Sequence, residues 1–247
     1  MIVLSVIGYA AALAAVYFAL RRAHALAWVA FGALPLLLTP LWVGQQHATF
    51  MWFKVYSVQA GALLVLAQRR TALGSRPWAR AAICGVLGAN ILEAVVLDGL
   101  HGHPVNALAG VALIAAMPRP SAVTVAADGD LSFPLSRAWV LGYALWNLAF
   151  LLLEFPAYAA IQIALLVPPT VLGLASPARW LQVRSYTFAA HMLLAFSRWD
   201  LFEPYERPTW RVAPIGGALQ FVAAAACGLA LASAIGERRS APMAVAE

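Results

Sequence analysis

Charged side chains are scarce in this sequence. Of its 247 residues, 16 are Lys or Arg and 10 are Asp or Glu, so that 11% are charged and 63% are hydrophobic. A soluble domain carries about 25% charged residues, and a chain with so few predicts a polytopic membrane protein. The net charge of +6 does not indicate a nucleic-acid partner, because the arginines lie in short loops between apolar runs, where they set the orientation in the membrane.

Cysteine and the common catalytic motifs are also missing or nearly so. The chain has two cysteines, Cys84 and Cys227, and both fall inside apolar runs, which excludes a disulfide framework. The patterns GxSxG, HExxH and CxxC and the phosphate-binding glycine loops are absent, so nothing points to a nucleophilic hydrolase or a nucleotide site. We predict no cofactor.

Long apolar runs fill most of the remaining sequence. We predict an all-α bundle of about eight or nine transmembrane helices that forms a single domain over residues 1–247. The apolar segments cover approximately residues 2–20, 25–43, 49–67, 80–98, 104–117, 138–154, 157–174, 179–197 and 213–235. The fifth segment is short for a hydrocarbon core of about 30 Å and therefore predicts a short, buried or re-entrant helix.

Arginine is distributed unevenly among the connecting loops. The odd-numbered loops and the tail hold most of it: Arg21, Arg22, Arg69, Arg70, Arg76, Arg80, Arg119, Arg137, Arg179, Arg184, Arg238 and Arg239. The positive-inside rule then predicts an outer N-terminus and a cytoplasmic C-terminus in a bacterial inner membrane. The eighth loop departs from this pattern with Arg198, Arg207 and Arg211. If the fifth segment is not a full span, every later orientation is inverted.

Polar side chains inside the runs lie mainly in the predicted outer half of the membrane. A carboxyl within a span costs about 2.5–3.5 kcal/mol, so it usually faces a partner or water. Helical spacing places Asn90 and Glu93 on one face, and Asn147 and Glu154 on another. We therefore predict an outward-facing polar pocket lined by Lys54, Tyr56, Asn90, Glu93, Asp98, Tyr143, Trp146, Asn147, Glu154 and His191.

Simpler interpretations remain open for several of these residues. Lys54 can extend to the outer interface, and the asparagines can hold helices together without binding a ligand. For Glu93 the matched depth of Lys54 motivates the hypothesis of an ion pair. His47, His101 and His103 are low-ranked metal candidates, and a polar rim without metal is the favoured interpretation.

Two further features are expected to be structural. The polar stretch from Pro118 to Ser136 is expected to form a small turn on the cytoplasmic side, where little else polar is buried. Six tryptophans near segment ends are interpreted as an interfacial belt: Trp28, Trp42, Trp52, Trp78, Trp139 and Trp180.

Five blocks of the sequence, 53–61, 90–98, 106–110, 143–147 and 178–182, resemble an uncharacterised family of bacterial multi-pass membrane proteins, classed only as a domain of unknown function. The more specific pieces are Lys-x-Tyr-Ser, Asn-Ile-Leu-Glu-Ala and Leu-Trp-Asn. The resemblance extends from about the second segment to the eighth, and it implies a helical bundle without supplying an activity. The stretch around Glu154 is more apolar than its counterpart in the family, which makes Glu154 the least secure match.

Three functions follow from these expectations. The leading one is binding or transport of a small polar solute, an ion or a proton, with Glu93 as the binding or proton-carrying group. The second is a membrane-embedded enzyme at the outer leaflet, with Glu93 and His191 as acid and base. The third is a structural subunit or assembly factor. The expected partners are the lipid bilayer, a small polar ligand, and a second copy of the chain or a larger membrane complex.

Overall fold

A computed structural model describes residues 2–45, 49–205 and 213–240, and within these ranges the chain is a bundle of nine α-helices. The helices are α1 (Ile2–Arg22), α2 (His24–Val43), α3 (Thr49–Arg70), α4 (Pro77–Leu100), α5 (Pro104–Ala115), α6 (Arg137–Glu154), α7 (Ala159–Ala175), α8 (Trp180–Ser197) and α9 (Ala213–Ser240). Each corresponds to one predicted apolar segment, which confirms the all-α class.

Five helices of the described chain are long and apolar enough to cross a membrane: α1, α2, α4, α7 with its preceding turn, and α9. The count of eight or nine spans stays a prediction. At about 1.5 Å per residue, the 12 residues of α5 reach only about 18 Å, so this helix is as short as expected. Pro77 and Pro104 begin α4 and α5, where the missing N–H of proline costs no intrahelical bond.

Helix α2 is irregular in its middle. A π-helical turn covers Val29–Ala33, immediately before Pro35. A proline inside a helix cannot donate to the carbonyl four residues earlier and its ring crowds that carbonyl, so a local widening of the helix accommodates it. The Thr39 hydroxyl donates to the Pro35 carbonyl at 2.9 Å.

Aromatic side chains form the centre of the bundle between α5, α6 and α8. The rings of Trp139 and Tyr143 lie 4.9 and 4.6 Å from the ring of Trp180. The indole N–H groups of Trp139 and Trp146 each donate to a carbonyl of α5, at 3.0 Å in both cases. Trp139 and Trp180 are therefore core residues, and the prediction that they belong to an interfacial belt is wrong. Trp42 is also fully buried.

The helix ends sort into two groups. At one end, which we call the arginine end, Arg238 of α9 donates to the carbonyl of Met117 after α5, and Arg137 of α6 donates to the carbonyl of Leu174 in α7. We call the other end the carboxylate end, because Asp98 of α4 and Glu154 of α6 lie there. At this end Trp42 of α2 donates to Ser197 of α8. Consecutive helices thus run in alternate directions, and every loop with predicted cytoplasmic arginines lies at the arginine end.

A short β-hairpin lies at the arginine end between α5 and α6. Strands β1 (Thr124–Val125) and β2 (Leu131–Ser132) pair antiparallel, with Thr124 opposite Ser132. Gly129 has φ +76°, a conformation that glycine adopts without the steric cost of a side chain. The turn expected in the stretch 118–136 is therefore this hairpin; its tip is exposed, and Asp130, immediately before β2, is buried.

Candidate functional site

The ten residues predicted to line one pocket lie in several separate places. Lys54, Asn90 and Glu93 form one group on the surface of the bundle. Asp98 and Glu154 lie with His101 and His103 at the carboxylate end. Of the other five, Tyr143, Trp146 and Asn147 lie on α6, Tyr56 of α3 contacts α2, and His191 of α8 contacts α1. The structure therefore does not bring the ten residues into a single cavity.

Lys54 and Glu93 form the ion pair that their depths predict. The Lys54 ammonium donates to the Glu93 carboxylate at 2.9 Å and to the Asn90 side-chain oxygen at 3.3 Å. The pair joins α3 to α4 and faces the outside of the bundle. The Glu93 side chain is 42% exposed and that of Lys54 19%.

A second group, which we call the Asp98–Glu154 cluster, consists of Asp98, His101, His103, Asn106 and Glu154. Asp98 lies in the last turn of α4 and is fully buried, and its carboxylate accepts a 2.8 Å hydrogen bond from the Asn106 amide. Glu154 ends α6 with only 4% of its side chain exposed. One Glu154 oxygen contacts His101 Nδ1, and the other lies 3.6 Å from His103 Nε2.

Three buried oxygens of this cluster have no hydrogen-bond donor among the described residues: Asp98 Oδ1, Asn106 Oδ1 and Glu154 Oε1. A buried polar atom without a partner costs about 1–3 kcal/mol, and such atoms are few in native proteins. The negative charges of Glu154 and Asp98 also repel each other. The cluster therefore brings two carboxylates together without a lysine or arginine bonded to either, but in the described part of the chain no group of three or more His, Cys, Asp or Glu side chains is placed to hold a metal ion.

The chain reversal between α4 and α5 explains how these side chains meet. Gly102 has φ +82°, and the His103 N–H donates to the Asp98 carbonyl at 2.8 Å. Asn106 therefore lies one turn into α5, directly beside Asp98. The Asn106 carbonyl accepts from the Trp146 indole at 3.0 Å, which fixes α5 against α6 and brings Glu154 to the same end.

The remaining predicted residues have other surroundings. Tyr56 hydrogen-bonds the Thr39 hydroxyl at 2.5 Å. Tyr143 and Trp146 are buried in the aromatic core, and Asn147 on the same helix is half-buried. The metal candidate His47 lies outside the described residues.

His191 lies near a different cavity. Its Nδ1 is 2.8 Å from the Tyr9 hydroxyl, and its side chain packs against Phe202. The adjacent cavity measures about 190 Å³ and is mostly apolar, lined by Tyr9, Phe202 and aliphatic residues of α1, α7 and α8. Glu93 does not line it. The expected pairing of Glu93 with His191 as acid and base is therefore not formed.

A buried carboxylate with several partners lies at the arginine end, where little was expected. Asp130, in the hairpin turn, is 1% exposed. Its carboxylate accepts hydrogen bonds from Arg21 at 2.9 and 3.0 Å, from Arg69 at 2.9 Å and from Gln182 at 3.0 Å. Arg179 lies 3.0 Å away. One carboxylate thus joins α1, α3 and α8.

The neighbours of Asp130 complete this arrangement. Asp128 pairs with the outer sides of Arg21 and Arg179, at 3.2 and 2.5 Å. Burial by itself raises the pKa of Asp130, but the hydrogen bonds from Arg21 and Gln182 and the charges of Arg21 and Arg69 outweigh it, so the pKa is held below its usual value. A signal for this site is present in the sequence, because Asp128 and Asp130 are acids in a loop at the end of the bundle where the other loops carry arginine.

Residues 1–102 match the model of a family of unknown function, DUF5692. The matched part runs from α1 through α4 and includes Lys54, Asn90, Glu93 and Asp98. The resemblance to an uncharacterised family is confirmed over this part, which begins one helix earlier than expected and ends after α4. No curated protein and no solved structure matches the chain.

Proposed function

We propose that this protein is an integral membrane protein of the bacterial inner membrane that binds a small cation from the outer solution at the Asp98–Glu154 cluster, as the first step of its transport. The observation that carries this proposal is the set of three buried oxygens without donors, Asp98 Oδ1, Asn106 Oδ1 and Glu154 Oε1. Oxygen atoms of this kind are the ligands of hard cations and the acceptors of protons.

The distribution of charge supports an outward-facing site. Among the described residues, the arginine end holds 12 arginines against Asp128, Asp130 and Glu237, whereas the opposite half holds Lys54 and Arg198 against five acids. This difference follows the positive-inside rule and supports a cytoplasmic arginine end, although Arg207 and Arg211 of the eighth loop, outside the described residues, depart from it. His101, 54% exposed, then faces the outer solution and gives the buried carboxylates access to it.

The binding group in this proposal differs from the one expected from the sequence. Glu93 is neutralised by Lys54 at 2.9 Å, so it has less need of a further cation. Among the described residues, no positively charged side chain hydrogen-bonds Asp98, and the bond from Asn106 leaves Asp98 Oδ1 without a donor. The carboxyl that is buried without a counter-charge is the stronger candidate for ligand binding.

A stabilisation assay tests the proposal. The purified protein is melted in detergent with the chloride of Na⁺, K⁺, Ca²⁺ or Zn²⁺, or of choline at equal ionic strength, and separately over a series of pH values. A cation present at 100 times its dissociation constant stabilises the folded state by about 2.7 kcal/mol. For a chain of this size that corresponds to a rise of about 5–11 °C in Tm.

The variants Asp98→Asn and Glu154→Gln should lose this rise, and Glu203→Gln should keep it. Glu203 is an exposed acid at the same end of the bundle, so its change removes the same charge without touching the cluster. If protons are the ligand, no salt raises Tm, and the pH dependence of Tm differs between wild type and Asp98→Asn. The proposal is contradicted if the Tm of the wild type and the Tm of Asp98→Asn respond in the same way to every salt and to pH.

A further inference from the structure

Glu93 is a charged group on the outer surface of a helix that is long and apolar enough to span a membrane. It lies seven residues before the end of α4 at Leu100, about 10 Å below that end. Its side chain is 42% exposed, and its neighbours Leu92 and Val96 are 51% and 52% exposed. This part of the surface is therefore apolar except for the carboxylate and the ammonium of Lys54.

A carboxylate facing lipid at this depth is unfavourable even when it is paired. Polar groups inside membranes are usually covered by another helix or by water. Lys54 neutralises the charge and also bonds Asn90, but much of the Glu93 side chain stays uncovered. The surface between α3 and α4 therefore has the properties of an interface with protein.

The shape of α4 next to Glu93 permits close helix packing. Ala81, Gly85 and Ala89 follow at steps of four residues, are all exposed, and lead directly to Glu93. A Cβ atom built on Gly85 meets no atom within 4 Å. Small residues at this spacing let two transmembrane helices approach closely.

We propose that a second copy of this chain covers this surface, with α4 packed against α4 of its partner around a two-fold axis normal to the membrane. Copies inserted with the same orientation are related in this way, and the interface then uses the same patch on both.

The ion pair is complementary to itself in this arrangement. Lys54 lies five residues after the start of α3 and Glu93 seven before the end of α4, so the two charges lie at similar depth and their dipole is close to the membrane plane. A rotation of 180° about the normal reverses an in-plane dipole. Each Lys54 is then brought towards the Glu93 of the other copy, and the two pairs attract each other.

The test compares the oligomeric state of two matched variants in lipid bilayers by single-molecule photobleaching. Gly85→Leu adds bulk to the proposed interface. Gly8→Leu adds the same bulk to an exposed glycine of α1, where a Cβ atom likewise meets nothing within 4 Å. We expect Gly85→Leu to weaken dimerisation at least tenfold and Gly8→Leu to leave it unchanged.

Cross-linking locates the interface independently. Under oxidation, Ala89→Cys should give a covalent dimer, whereas Leu229→Cys, at a residue of α9 that is 66% exposed, should not. The native cysteines are buried and stay in both variants. A monomeric wild type, equal effects of the two leucine variants, or cross-linking through Leu229→Cys alone would overturn the proposal.

The proposed dimer does not depend on cation binding at the Asp98–Glu154 cluster. Asp98 lies on a different side of α4 from Glu93, five residues further along the helix. The melting response to salts and pH should therefore survive in Gly85→Leu, and its retention also shows that this variant is folded.

Discussion

Replacing Asp130 by Asn should destabilise the protein more than any other single charge removal at the arginine end. The substitution keeps the size of the side chain but removes the negative charge and turns one acceptor oxygen into a donor that faces arginine. Removing one partner of a buried ion pair costs about 3–5 kcal/mol. Arg21 and Arg179 are 24% and 41% exposed and can be rehydrated, whereas Arg69 is 1% exposed and cannot. We therefore expect the lower figure, about 3 kcal/mol.

The assay is thermal unfolding of the purified protein in detergent. A loss of about 3 kcal/mol corresponds to a fall of about 6–12 °C in Tm for a chain of this size. Asp128→Asn is the matched control, because the Asp128 side chain is 40% exposed and an exposed pair contributes only about 0–1 kcal/mol. Equal falls in the two variants, or an unchanged Tm in Asp130→Asn, would refute the assignment of Asp130 as the group that joins the three helices.

Two further outcomes are expected. The pKa of Asp130 is lowered in the folded state, so its stabilising contribution is present above the unfolded pKa of about 3.9 and is lost as the pH falls through the folded value. The difference in Tm between wild type and Asp130→Asn should therefore be constant from about pH 7 to pH 5 and shrink below about pH 4. A constant difference at all pH values would argue against this. Gly110→Ala should lower Tm, because the added methyl would overlap a methyl of Val95 and lie 3.0 Å from Trp146 Nε1, at a cost of about 1–3 kcal/mol. Gly88→Ala, whose added methyl meets only the flexible end of a Met117 side chain at 3.4 Å, should leave Tm unchanged or higher, and equal effects of the two alanines would contradict the close packing of α5.

Depth along a helix could be predicted from the sequence, whereas rotation about the helix axis could not. The apolar run at 104–117 predicted a short helix, and α5 spans Pro104–Ala115. Lys54 and Glu93 could be matched because each is a few residues from the end of its own helix. The facing direction of Trp139 and Trp180 depends on α5, whose carbonyl at Leu113 receives the Trp139 N–H, and no local pattern contains that information.

The ion pairs of Asp130 at the arginine end were not predicted, for a related reason. Arg21, Arg69 and Arg179 lie far apart in the sequence, and each alone is indistinguishable from an arginine that only sets topology. Their convergence depends on the hairpin, which places Asp130 between α1, α3 and α8. The positive-inside pattern explains where these arginines lie along the membrane normal, but it does not show which of them a buried acid will pair with.

Asp98 and Asp130, both fully buried in the described part of the chain, differ in how well their carboxylates are paired. Asp130 has cations or amide donors around both oxygens, so binding a further cation there would first require breaking existing ion pairs. Asp98 is equally buried, yet one of its oxygens lacks a donor and its hydrogen-bond partner is a neutral amide. A fold that only needed to stabilise its helix ends would gain from replacing Asp98 with an uncharged residue, because an unpaired buried charge is costly. The proposed ligand would account for an acid at this position, beside Glu154 and His101, because it would supply the missing positive charge.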